Sequence, residues 1–254
     1  MEGKLLRRKI ISLPDITLVC ITGVDIKGHF YALWRSSKRI KFQEIKLITS
    51  QKISYKPKWL IVEEAIDNPL TSIDYFSHYC IYSLHQHIKS KYVLIIHADG
   101  YIVNSHKWND TFLEYDYIGA PWKVRSDAYI DPFGNHQRVG NGGFSLRTKK
   151  LLELPLSEKI EWNVNQGDFY QHMGVGEQAE DGIICVHNRH IYEAAGCKFA
   201  PLEIAKNFSR EQNIPENLKL ETFGFHKKIY SKKLKLIDLY YRLVFNILYI
   251  LKKL

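Results

Sequence analysis

Residues 92–104 read YVLIIHADGYIVN, an apolar run from Tyr92 to Ile96 that meets His97, Ala98, Asp99 and Gly100. Continuous rather than alternating apolar positions suit a strand of a parallel sheet covered on both faces. Its ending on a carboxylate has two readings. Asp-Gly is common turn chemistry, and strands have to stop somewhere. The carboxyl ends of strands in an open α/β sheet are also where such folds bind ligands.

The flanking sequence extends the same pattern. ITLVCITG (16–23) is a short β-rich run, a helical stretch follows near 27–38, and EIKLITS and KWLIVEE read as two further strands. SIDYFSHYCIYSLHQHI carries apolar residues at helical spacing before the strand at Tyr92. The order β-α-β-β-α-β predicts an α/β domain with a mostly parallel central sheet flanked by helices. Two places fall at strand ends, namely Thr22-Gly23-Val24 after the first strand and His97 to Gly100 after the fourth.

Beyond residue 105 the pattern loosens into a helix-like HKWNDTFLEY and then a polar stretch from Lys123 to Gly140, a length that usually marks a functional loop. In VGNGGFSLRTKKLLEL the triplet Asn141-Gly142-Gly143 allows close backbone approach, and a helix is expected to start at Thr148. EQAEDGIICVHNRHIYEAA (177–195) reads as a helix, with Glu180 and Asp181 in a first turn where acids complement the dipole. CKFAPLEIA reads as a late strand, and FGFHKK (223–228) ends the globular part.

Composition bounds the function. The chain has 254 residues, 45% of them hydrophobic, enough to bury a core. The net charge of +9 suggests nucleic acid, but eight basic residues against one acid lie from Lys227 onward, leaving only +2 on the 226 residues before them. No broad phosphate-binding face, and so no nucleic-acid partner, is expected. The N-terminal MEGKLLRRKIISLPDI is basic and then broken by Pro14, so no signal peptide or N-terminal anchor is expected. Cys20, Cys80, Cys185 and Cys197 form no CxxC pair, which makes a reduced cytoplasmic protein the default. Cys185 with His187 and His190 resembles a zinc cluster only superficially, since it sits in an apolar run.

The tail, SKKLKLIDLYYRLVFNILYILKKL, gathers Lys235, Asp238, Arg242, Asn246 and Lys253 on one side of a helical wheel and leaves a wide apolar remainder. Its apolar runs are too short to span a bilayer. Paired lysines at both ends and several aromatics point residues 231–254 towards an anionic membrane surface.

Four signals then follow one another: HADG at a strand end, GNGGFSL, AED and GFH. Together with FLEYDYIGAPW and VGNGGFSLR, they resemble the nucleotide-sugar glycosyltransferases of the GT-A fold, in particular a bacterial group found with surface-polysaccharide genes. The resemblance covers roughly residues 15–228. It implies a GT-A-like, Rossmann-like domain over 1–228 followed by a basic amphipathic helix over 229–254.

It also implies an inverting, metal-assisted sugar transfer from a nucleotide-diphosphate donor, a UDP-sugar, to a glycan or lipid-linked acceptor in polysaccharide synthesis. Asp99 matches the last acid of the DxD motif and His226 the late His; the two would hold a divalent metal, Mn²⁺ or Mg²⁺. His97 stands where the first DxD acid is expected, and imidazole suits Mn²⁺ better than Mg²⁺. Asp181 matches the general base, with Glu180 as the neighbour able to exchange roles with it. Asn141, Gly142 and Gly143 match the loop framing donor and acceptor, Thr22, Gly23 and Val24 fall against the nucleotide, and Lys227 adds positive charge to the diphosphate. Trp122 is either a sugar-stacking platform or a buried aromatic. The location implied is peripheral, on the cytoplasmic face of the inner membrane. A different class, a non-catalytic glycan-binding or assembly protein on the same fold, would leave Asp99 and Asp181 dispensable.

Overall fold

A computed structural model describes residues 10–65, 69–124, 129–162 and 179–254. Its centre is a six-stranded sheet in the order β3-β2-β1-β4-β6-β5. The strands are β1 (Ile11–Ile21), β2 (Ile40–Thr49), β3 (Ile61–Glu64), β4 (Tyr92–Ile96), β5 (Tyr117–Ile118) and β6 (Phe144–Thr148). β3, β2, β1 and β4 run parallel, whereas β6 is antiparallel to both β4 and β5. This is the mostly parallel α/β sheet that the apolar runs predict. Pro14 interrupts β1, which carries no ladder donor there, and the β1–β2 register slips between Leu13 and Thr17.

Alternation along the strands feeds two layers. Leu18, Cys20, Leu94 and Ile96 pack towards α1 (Ile26–Ser37), while Val19, Ile21, Val93 and Ile95 pack towards α2 (Ile73–Tyr82). Both helices start on side-chain caps, Asp25 accepting from Gly28 N and Ser72 accepting from Tyr75 N. A third cluster lies under the antiparallel side, around Tyr117, Leu151, Ile184 and Phe199. It includes α3 (Lys149–Ser157), which starts after Thr148 as its cap.

Several elements differ from expectation. Phe144–Thr148, read as a turn running into a helix, is a strand. HKWNDTFLEY forms short 3₁₀ turns, with Asn109 capping the second. The helix expected over 177–195 divides into α4 (Glu180–Gly182), a π-helical turn (Ile183–His187) and α5 (Arg189–Ala194), and its first two residues lie outside the described ones. CKFAPLEIA is not a strand: Phe199 makes an isolated bridge to Tyr117, and after Pro201 the chain turns into α6 (Leu202–Phe208). Proline has φ preset for a helix start and no donor for a ladder, which explains the switch.

The short strands β7 (Ser209–Arg210) and β8 (Gly224–Phe225) pair in parallel and bring the late His alongside β4. The chain closes with α7 (Lys232–Ile250), which packs on α1 through Phe245 against Tyr31 and Trp34. Asp238, placed by the wheel on a polar side, is buried there. It accepts hydrogen bonds from Tyr31 Oη (2.5 Å) and Tyr101 Oη (2.8 Å), and Arg242 donates to its other oxygen (2.9 Å). A buried carboxylate is tolerated only when partnered in this way.

Candidate functional site

At the end of β4 the backbone reverses within four residues, His97 N donating to Gly100 O (2.9 Å) and Gly100 N to His97 O (3.1 Å). That turn leaves the Asp99 side chain exposed above the sheet. β8 delivers His226 to the same spot, with His226 Nε2 3.6 Å from Asp99 Oδ1. His97 completes a cluster in which one ligand atom from each of His97, Asp99 and His226 lies within 4.8 Å of the others. Among the described residues no comparable grouping forms around Cys185, His187 and His190; the Cys185 thiol is buried and pushed well above its usual range by burial.

The glycine turn before β6 exists to make room for this cluster. A Cβ on Gly143 would stand 2.2 Å from His226 Nε2, and one on Gly142 would stand 1.7 Å from Glu180 Oε1. Asn141, buried beside them, adopts a left-handed φ of 65°. The same turn carries the second acid, because Gly142 N donates to Asp181 Oδ2 (3.1 Å).

Glu180 and Asp181 are neighbours in sequence with different surroundings. Glu180 points inward to Arg147 of β6, which is fully buried and also donates from Nε to Ser145 Oγ (3.0 Å). Among the described residues Asp181 has no cation in ion-pair contact. Burial, and after it the Glu180 charge, lifts its carboxyl to about 7. A carboxyl poised there can change protonation during a reaction at neutral pH. The π-helical turn that follows directly is a feature frequent at functional sites.

Two further residues belong to the site and carry no motif that reveals them in the sequence. Glu211, buried after β7, accepts from Lys227 Nζ (2.6 Å) and lies 3.5 Å from His226 Nδ1. Burial alone would raise its pKa, but the contacts with His226 and Lys227 prevail and hold it near 2. Glu211 lies behind Nδ1, which makes no hydrogen bond among the described residues, and Nε2 is the nitrogen that faces the cluster. His29 of α1 donates from Nδ1 to Asp25 O (2.6 Å), and its ring lies 6.2 Å from that of His97. Burial, then the neighbouring His226 and His29, lowers His97 well below the usual histidine range, so its imidazole is neutral. His97 Nε2 is buried without a hydrogen-bond partner among the described residues.

A neutral imidazole with an idle buried nitrogen, a second imidazole and a carboxylate form a donor set that fits Mn²⁺ better than oxygen-seeking Mg²⁺. Next to the cluster, a cavity of about 420 Å³ lies at the end of β1, lined by Thr22, Val24, His29, Ser72, Phe76 and His97. His97 borders both spaces, so the strand ends of β1 and β4 share one cleft. Gly23 N donates to Leu70 O (3.0 Å), which joins the end of β1 to a residue that lines the cavity. Trp122 is outside this cleft; it is buried and stacked on Tyr129 with ring centroids 4.2 Å apart.

The chain belongs to the family described as protein of unknown function (DUF5672), whose model matches residues 61–226. No curated protein matches its sequence. Among solved structures it is similar to a glycosyltransferase involved in the glycosylation of the major capsid of PBCV-1, at 11% identity and a TM-score of 0.47, over 90% of this chain and 98% of that one. It is also similar to the apo form of the glycosyltransferase GlyE of Streptococcus pneumoniae TIGR4, at 15% identity and a TM-score of 0.44, over 92% of this chain and 62% of that one. A second GlyE structure gives 14% identity and a TM-score of 0.43, over 92% of this chain and 63% of that one.

Proposed function

We propose that the protein transfers a sugar from a nucleoside-diphosphate donor, a UDP-sugar, to a hydroxyl of a glycan or lipid-linked acceptor, with inversion at the anomeric carbon. The observation that carries this reading is the convergence of His97, Asp99 and His226 at the end of β4 with Asp181 held across the glycine turn. The nucleotide would lie in the cavity at Thr22–Val24 and the diphosphate near His97 and Asp99. Mn²⁺ held by His97, Asp99 and His226 would offset the charge of the departing diphosphate.

The protein's own groups would do the rest. Asp181 accepts the acceptor's hydroxyl proton as the new carbon–oxygen bond forms and the bond to the diphosphate breaks. Glu180, tied to Arg147, stays out of that exchange and keeps the turn of α4 in place. Lys227, kept cationic by Glu211, adds positive charge beside the diphosphate. Asn141 and the two glycines bring backbone close to the sugar. In this reading residues 1–228 make the catalytic body and residues 229–254 an appended helical segment.

A panel of nucleotide sugars incubated with Mn²⁺ tests the reading through release of nucleoside diphosphate. Release from at least one donor, lost in Asp181→Asn, is expected. No release from any donor, with no nucleoside-diphosphate binding by calorimetry, overturns it. Binding without turnover would instead support a non-catalytic glycan-binding protein.

A further inference from the structure

The last helix has two apolar faces, and the fold uses one. Phe245, Tyr241, Val244 and Leu248 pack towards α1 and the core. On the opposite side Leu236, Leu239, Tyr240, Leu243, Ile247 and Ile250 are 51–75% exposed. At 100° per residue these six fall within an arc of about 100°, an unbroken stripe along the helix. Scattered exposed leucines need no explanation, but a contiguous stripe marks a contact surface.

The charges around the stripe decide what covers it. Lys232, Lys233 and Lys235 stand at its start and Lys252 and Lys253 at its end, all exposed. The first three occupy the helix N-terminus, where the dipole disfavours cations, and no acid accompanies them in that turn. Helix stability therefore gives no reason for them. The helix's acid, Asp238, is turned inward to Tyr31, Tyr101 and Arg242. Two copies meeting through this face, parallel or antiparallel, would set lysine against lysine with no acid between them. No described helix is long and apolar enough to cross a membrane.

We propose that the outer face of α7 docks in the interface of an anionic lipid bilayer, its apolar stripe among the acyl chains and its lysines on the headgroups. The inference rests on the helix and is independent of the chemistry proposed for the cleft. It has a consequence for the site's placement, because Asp238 binds Tyr101, two residues beyond Asp99. The docked helix therefore lies directly behind the turn that carries Asp99.

Deleting α7 would uncover Tyr31 and Trp34, so substitutions on its outer face are the sound test. The full chain is sedimented with phosphatidylcholine vesicles, with and without phosphatidylglycerol. Binding to the anionic vesicles alone is expected. Lys232→Gln/Lys233→Gln/Lys235→Gln should lower the partition coefficient about 100-fold, at about fivefold per lysine. Leu239→Ser/Leu243→Ser/Ile247→Ser should lower it by about tenfold per residue without moving the thermal melt. In Tyr240→Trp, tryptophan emission should shift to the blue on adding anionic vesicles. Equal sedimentation of the wild type and the leucine variant overturns the proposal. So does a lipid-free dimer, seen by sedimentation velocity and dissolved by the leucine variant, because a second copy would then own the face.

Discussion

In the parallel strands β1 and β4 the sheet buries chiefly leucine, isoleucine and valine; beside β4, the antiparallel β6 buries Ser145 and Arg147 in alternation with Phe144 and Leu146. The two neighbouring strands β4 and β6 differ in the chemistry they bury. Apolar strands are stabilised wherever they are covered, so their burial is set locally by the run itself. A buried guanidinium is tolerated only with a carboxylate beside it, and Arg147 finds Glu180, far along the chain. That pairing fixes the turn on which Asp181 sits, so the costly buried charge of β6 is the one that positions the Asp181 carboxyl.

The largest effect is expected at the polar strand's end. Asp181→Asn should cut turnover by about 10²–10⁴-fold while leaving nucleotide binding in place, as expected for loss of a general base. The wild-type rate should rise with pH through about 7, where Asp181 loses its proton, and the variant should lose that limb. The stability sign is opposite. Because the native state raises this carboxyl above its unfolded value, folding binds a proton between the two, and the resulting stabilisation is lost as pH rises through about 7. Asp181→Asn should flatten that slope in denaturant melts.

Next in size, Arg147→Met leaves Glu180 buried and unpaired and should cost about 3–5 kcal/mol in chemical denaturation. On the apolar side Leu94→Ala should cost about 2–5 kcal/mol by transfer and cavity terms, and should leave the pH limb of any surviving activity unmoved. Stability losses that ran the other way, with Arg147→Met neutral, would show that the ion pair is dispensable to the fold. Smallest is Glu211→Gln, which should weaken Mn²⁺ affinity by about 10–100-fold through the orientation of His226, with the melt little changed.

How far the sequence revealed this follows the same division. β1 to β4, α1 and α2 are legible because each is an apolar run or stripe bounded by turn residues and caps. β6 is not, because FSLRT has the composition of an exposed segment until Glu180 is known to cover Arg147. The segment after Cys197 misleads in the other direction, since alternating apolar residues suggest a strand that Pro201 converts to a helix start. In the cleft, Asp99, Asp181 and His226 are readable from the order of their motifs, whereas Glu211 and His29 are ordinary residues that only the tertiary fold brings beside His226 and His97. The tail shows a wide apolar surface in sequence, and the structure divides it into a face the core takes and a face left outward.

In the proposed function, His97, Asp99 and His226 bind a divalent metal that in turn holds a nucleoside diphosphate. Calorimetric titration of uridine diphosphate into the full chain, with Mn²⁺ or with chelator, addresses it directly. Binding that requires Mn²⁺ and is lost in Asp99→Ala is the expected result. Binding of equal strength with chelator, or unaffected by Asp99→Ala, would contradict it.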